Sequence, residues 1–577
     1  MRRLPIACVA TIAIASATCD PATRHDAAPE TNAIPPADPY SNILPADYVG
    51  PDTCGDCHED KHERWQASLH ASMNRRADDD RAVIGDFRDV GLDYAGGHAT
   101  FARDGARYVM ELAPARGPRR TFTITRTIGS RYLQEYVGIQ RTGPEAPADP
   151  VYTREIRLPF GWWVRAGRWL PRAYFDSWYG GEYAADGSIA TDPYTPDREE
   201  WATRCAWCHN TYAFDIRLVR AASRDVGHGL EQWFTLVRDS RTSAQRVAIA
   251  RDNELPVSEL VTVGISCESC HLGGREHAAR PREALPRFVP ASPDLVARAG
   301  APDLRGGRRN AIVVDAICAQ CHSTPSPRYP NGAAVRNSTE ALDLLAGSCA
   351  PAIKCTDCHD PHTAGPGPGA SDPPRALAAC THCHPAYADA ARAETHSHHP
   401  AGAASCLDCH MPRIVAGVSS FVRTHRVSSP SDRSMLGAGA PNACNLCHLD
   451  RSITWTLDEL ASKWGVRIPA GPALRAVYGD LDRPLGPLWL SSASGQVRIT
   501  AAAAYARSPL GRAALPLLAI LLEDPVAYDR MWSLFAIEDV LGRRLMRDEY
   551  DPLADQSARS AQVDALVARG FATPAHR

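Results

Sequence analysis

The stretch "APNACNLCHLDRS" places Cys444, Cys447 and His448 within five residues. Two thiols and an imidazole this close can bind zinc, exchange disulfide electrons or hold a haem. The pattern recurs as CGDCH (Cys54, Cys57, His58), CAWCH (Cys205, Cys208, His209), CESCH (Cys267, Cys270, His271) and CAQCH (Cys318, Cys321, His322). CTDCH (Cys355, Cys358, His359), CTHCH (Cys380, Cys383, His384) and CLDCH (Cys406, Cys409, His410) bring the total to eight. With 19 Cys and 21 His in 577 residues, chance placement would give about 0.02 copies.

The spacing has a chemical reason. In c-type attachment two thiols add to the two vinyl groups of one porphyrin, and the adjacent histidine becomes an axial ligand of the iron. A zinc ribbon pairs one C-x-x-C with another and needs no histidine after each pair. A thioredoxin-type dithiol stands alone at a helix start. The eight copies therefore imply eight covalent haems c, with His58, His209, His271, His322, His359, His384, His410 and His448 as proximal ligands.

Cys8, Cys19 and Cys349 lie outside the motifs. Cys8 belongs to "MRRLPIACVATIAIASATC", where Arg2 and Arg3 precede a short apolar run ending in small residues, the composition of a secretory signal over residues 1–19. Export to the periplasm or outer cell envelope follows. No later stretch reaches the roughly 18 apolar residues of a transmembrane helix. Ser16-Ala17-Thr18-Cys19 resembles a lipobox without its usual aliphatic residue, so a lipid anchor on Cys19 competes with ordinary cleavage nearby. Residues 20–48, rich in Pro, Ala and Asp, read as a flexible tether. Cys349 reads as a buried free thiol.

Only Lys61, Lys354 and Lys463 are lysines, leaving 60 of 63 basic residues as arginine. Arginine suits haem propionates, although codon bias accounts for much of the excess. Losing Arg2 and Arg3 takes the formal charge from -3 to -5, and eight ferric haems at about -1 each take it to about -13. An acidic holoprotein argues against nucleic acid as a partner and for redox proteins with basic patches.

The motifs must be positioned by what surrounds them. A haem-free insert, residues 95–185, follows the first motif: "HATFARDGARYVMELA" alternates around a hairpin signal at Asp104-Gly105, and "TFTITRTI" with "YLQEYVGI" continues the strand pattern. The aromatic segment "RLPFGWWVRAGRWLPRAYFDSWYGGEY" is expected to pack this sheet against haem faces, or else to form an ordinary aromatic core. From 205 to 448 the Pro- and Gly-rich segments between motifs are too short for separate cores, so the porphyrins are expected to be the core. Residues 49–450 read as one octahaem domain. Residues 451–577 carry helical periodicity in runs resembling HEAT-type repeats, with a plain helical cap as the alternative.

"YVGPDTCGDCHEDKHERWQASLHA", "ISCESCHLGGREH", "CTDCHDPHT", "THSHHPAGAASCLDCHMP" and "PNACNLCH" resemble exported bacterial multihaem c-type cytochromes, whose superfamily includes multihaem nitrite reductases and hydroxylamine oxidoreductases. The resemblance spans residues 48–465. It implies a multihaem cytochrome fold, mainly α and irregular loops around packed haems, with a small β-rich insert and an α-helical C-terminal domain. By its pattern the distal iron ligands are His70, His277, His362, His396, His399 and His425, with His98 and His228 matching less well. His62 and His398 are expected to face solvent, His382 is trapped within its own motif, and His25 and His576 lie near the termini. A haem with histidine on both faces passes electrons, whereas one open face could bind nitrite, hydroxylamine or a similar molecule. Every motif ends in histidine rather than the lysine typical of the reductases, and no crosslinking tyrosine is identifiable. Electron transfer is therefore favoured over an oxidoreductase, with a redox-linked interaction scaffold as a third class.

Overall fold

Alternating β-branched and aromatic residues between Asn74 and Pro171 build an eight-stranded antiparallel sheet in the computed structural model, which describes residues 40–94, 97–115, 117–175, 199–223, 228–239, 241–350, 352–363 and 373–572. The strands are β1 (Asn74–Arg76), β2 (Val90–Tyr94), β3 (Gly97–Asp104), β4 (Arg107–Pro114), β5 (Arg120–Ile128), β6 (Leu133–Thr142), β7 (Ile156–Trp163) and β8 (Arg168–Pro171). They pair in sequence order from β2 to β8, and β1 pairs with β5. The hairpin between β3 and β4 turns at Gly105-Ala106, one residue later than expected, because Asp104 is the last paired residue opposite Arg107. Gly105 takes a positive φ of 61° there, as primed two-residue turns require.

The sheet curls on itself. β3 and β8 are five strand spacings apart, about 24 Å if flat, yet Phe101 of β3 stacks on Trp169 of β8 with ring centres 3.8 Å apart. Tyr94 of β2 likewise meets Phe160 of β7 at 5.2 Å. Register shifts in the β5–β6 and β6–β7 ladders add bend.

This sheet overturns the expected fold class. The chain is not mainly helices and loops around cofactors with a small β-rich insert, because the sheet encloses a hydrophobic core of its own side chains. The aromatic segment, as far as Phe175, belongs to that core and to its junction with the C-terminal helices, which is the ordinary-core alternative; its end lies outside the described residues. So do the signal segment, most of the tether, Cys8, Cys19, His25 and His576.

Beyond residue 450 the chain is helical, with α-helices that include Ile453–Trp464, Gly495–Ala506, Gly511–Ile520, Ala527–Leu541 and Gln556–Ala568. Ser452 caps the first by accepting from Trp455 N, and Gly465 ends it with φ 68°. These helices dock on the sheet. Trp163 meets Phe535 edge to face at 4.6 Å. Arg165 pairs with Asp539, and Tyr174 Oη donates to Pro552 O at 3.1 Å. The fully buried Arg530 donates to Asp524 O at 2.7 Å. Sheet and helices thus share one apolar cluster, to which Tyr329, Ile414, Phe421 and Leu449 also contribute. Among the described residues no helix is long and apolar enough to cross a membrane.

Candidate haem-binding site

Each motif is a single helical turn. The histidine N–H donates to the carbonyl of the first cysteine in seven motifs, for example His58 to Cys54 at 2.9 Å, His209 to Cys205 at 3.2 Å and His448 to Cys444 at 3.0 Å. His410 ends the helix Cys406–His410 in the same way. The i, i+3 spacing puts both thiols on one helical face, with the imidazole one position on. None of the sixteen motif cysteines, nor Cys349, is joined in a disulfide among the described residues.

The turns are held by buried carboxylates that the motif pattern does not reveal. Glu268, inside CESCH, accepts from Val49 N at 3.0 Å, Gly50 N at 2.8 Å and Gly274 N at 2.9 Å, which clamps the first motif to the third. Asp315 accepts from Cys355 N at 2.9 Å and joins the helix α1 (Ala311–Ala319) to the fifth motif. Thiols of different motifs consequently touch: Cys54 meets Cys267, Cys208 meets Cys321, and Cys318 meets Cys355.

A cavity of about 2650 Å³ runs between the sheet, the motifs and the helix Ile453–Trp464. That is several times the roughly 300–1,000 Å³ of a single small-molecule site. Cysteines of six motifs and the histidines His209, His322, His359, His384, His410 and His448 line it.

The histidines meet in pairs. Ring centres of His58 and His277, of His271 and His362, and of His396 and His410 are 6.2 Å apart. His359 and His425, and His399 and His448, are 6.1 Å apart. In each pair one histidine belongs to a motif and the other does not. An imidazole nitrogen bonds a metal at about 2.0 Å and the ring centre lies roughly 1.1 Å behind it, so two imidazoles on opposite sides of one metal have centres about 6.2 Å apart. His70 lines the cavity with His322 and is close enough for the two charges to repel. Burial, then that repulsion, lowers His70 to about 4.

Two motif histidines differ. His384 is exposed and lies 6.4 Å from the ring of Tyr387. His209 is lowered to about 4 by burial and then by Arg157. Among the described residues neither meets a second histidine, and His209 Nδ1 has no hydrogen-bond partner. The β5–β6 hairpin, with Ser130 and Tyr132, lines the cavity together with His209. Neither His98 nor His228 reaches a motif histidine. His98 is on β3 with Nδ1 2.7 Å from Asp93, and His228 is exposed. His62 lies against Trp65, His398 against Trp464, and His382 is exposed.

The second ring nitrogens of these histidines also differ in their partners. His410 Nδ1 faces the carbonyl of Ser428 at 2.9 Å, and His277 that of Ala284 at 2.8 Å. His322 Nδ1 instead faces the carboxylate of Glu340 at 3.0 Å. Burial alone would lower His322, but Glu340, with Cys318 and Cys321, holds it at about 9, while Glu340 itself is held at about 2. Glu340 follows its partner by eighteen residues and carries no sequence signature.

Among the described residues no group of three or more His, Cys, Asp or Glu converges on a metal-ion position. Each pair would supply two nitrogen donors to a metal, and a porphyrin would supply the remaining four. Cavity, facing thiols and ring spacing all fit that group.

No family model matches the chain, and no curated protein matches it. One solved structure, described as the crystal structure of outer cell wall cytochrome OcwA, is similar to 90% of this chain and 100% of its own, with 15% identity and a TM-score of 0.36.

Proposed function

We propose that the chain is an exported c-type cytochrome that binds eight haems and passes electrons in the cell envelope. The observation that carries this reading is the set of five histidine pairs at 6.1–6.2 Å, each joining a motif histidine to one outside the motifs. Cys54 and Cys57, and the equivalent pairs through Cys444 and Cys447, would hold the porphyrins by thioethers. His277, His362, His425, His396 and His399 would be distal ligands to the irons of His58, His271, His359, His410 and His448. His70 would serve the iron of His322. The bound haems supply one-electron redox chemistry; the chain supplies ligands, spacing and the exclusion of water. Its redox partners would carry basic patches, and Cys19 could add a lipid tether.

A second reading, an oxidoreductase acting on nitrite, hydroxylamine or a similar small molecule, is favoured by His209. Its Nδ1 is buried, its ring meets no histidine among the described residues, and it borders the cavity under the β5–β6 hairpin. Intact mass of the exported chain should show eight covalently bound haems; fewer would sink the count. Ferric spectra should be mainly low-spin. His277→Ala should add one high-spin signal, whereas His98→Ala should add none. The same spectrum from both variants would remove His277 from the ligand set. A high-spin iron in the unmutated protein that responds to nitrite or hydroxylamine would decide for the second reading.

A further inference from the structure

Glu340 is fixed at both oxygens. Its Oε2 lies 3.0 Å from His322 Nδ1, and its Oε1 accepts from Ser338 N at 2.8 Å. Ser338 takes φ 67°, an uncommon conformation for a residue with a side chain. The carboxylate is thus set in place by the local backbone.

His322 occupies a junction. Its motif, at the end of α1, touches the second motif through Cys321 and Cys208 and the fifth through Cys318 and Cys355. Both of its cysteines also lie near Cys270 of the third motif. The motif of His209 joins this row at Cys321, and His209 Nδ1 is buried without an acceptor.

A ring N–H donated to a carboxylate makes the opposite nitrogen a stronger donor and favours the higher oxidation state of a bound metal. An imidazole with no acceptor is the weaker donor. On the haem reading above, we propose that Glu340 is a positioning residue that holds the iron of His322 at a lower reduction potential than the iron of His209, making the His209 branch the place where electrons collect.

Spectroelectrochemical titration of the full holoprotein tests this. Glu340→Gln keeps the side-chain shape and removes the charge. One midpoint should rise by at least tenfold in its reduction equilibrium, about 59 mV for one electron, with the others shifting less. Unchanged midpoints, or a downward shift, would overturn the proposal. Should the variant fail to assemble, Glu340→Asp, which shortens the reach to His322 Nδ1, takes its place: one midpoint should still rise, and unmoved midpoints would overturn the proposal. Eight haems with unmoved midpoints defeat the Glu340 proposal alone, whereas a chain without covalent haem defeats the haem reading with it.

Discussion

The sheet with its docked C-terminal helices and the motif-bearing stretch from Cys205 to His448 solve the problem of burial in different ways. The first fills its interior with its own rings: Phe101 on Trp169, Tyr94 on Phe160, Trp163 on Phe535. The second has short helical turns, small apolar clusters around Phe214 and Trp207, and a cavity of about 2650 Å³ lined by thiols and imidazoles. Imidazoles and thiols lining a space of that size are placed to meet a bound group rather than one another. On the haem reading, one region is a protein core and the other a scaffold for the cofactors, anchored to that core through residues such as Tyr329, Ile414 and Phe421.

The sharpest way to break this contrast is to withhold the proposed haems. In a chain exported without haem attachment, amides between residues 205 and 448 should exchange hydrogen at nearly unfolded rates, while β3–β8 and the helices beyond 450 keep protection. Equal protection in both regions would mean that the motif stretch packs without cofactor, and equal loss would mean that the core depends on it.

The motifs were legible because they are written locally: three residues of two types in five positions leave few alternatives. The histidines named by resemblance, His70, His277, His362, His396, His399 and His425, are the ones the structure sets beside motif histidines. The sheet was read too small for physical reasons. β1 and β2 are only 3 and 5 residues long, too short to show alternation, and the Trp-rich β7 and β8 do not alternate cleanly because the curled sheet and the helices bury both faces. Glu268, Asp315 and Glu340 were not legible at all. Each is an ordinary acidic residue until tertiary structure brings a backbone amide or a ring nitrogen to it.

The junction between sheet and helices offers a second, smaller perturbation. Phe535 is buried against Trp163, so Phe535→Ala should cost about 3–5 kcal/mol of stability. The loss should appear in denaturant unfolding of the helices while the haem absorbance bands remain unchanged at low denaturant. A simultaneous change in those bands would show that the two regions unfold as one unit.

The smallest effect comes from a titrating group inside the helical region, remote from every motif. Asp529 sits in the helix Ala527–Leu541, where burial first and the charge of Asp524 second push its carboxyl up from 3.8 to about 7, against the pull of Arg498. Arg498 Nη2 is 3.1 Å from Asp529 and also pairs with Asp524, so the guanidinium is shared and cannot fully offset burial. Because the folded value lies above the unfolded one, the contribution to stability is complete below pH about 4 and is lost as pH rises through about 7. Between pH 5 and pH 8 the helix should lose about 1–2 kcal/mol, read as faster hydrogen exchange across Ala527–Leu541. Asp529→Asn should flatten that dependence without altering the haem spectrum. A slope of opposite sign, or one that persists in the Asn variant, would place the responsible charge elsewhere and leave Arg498 as an adequate partner for both carboxylates.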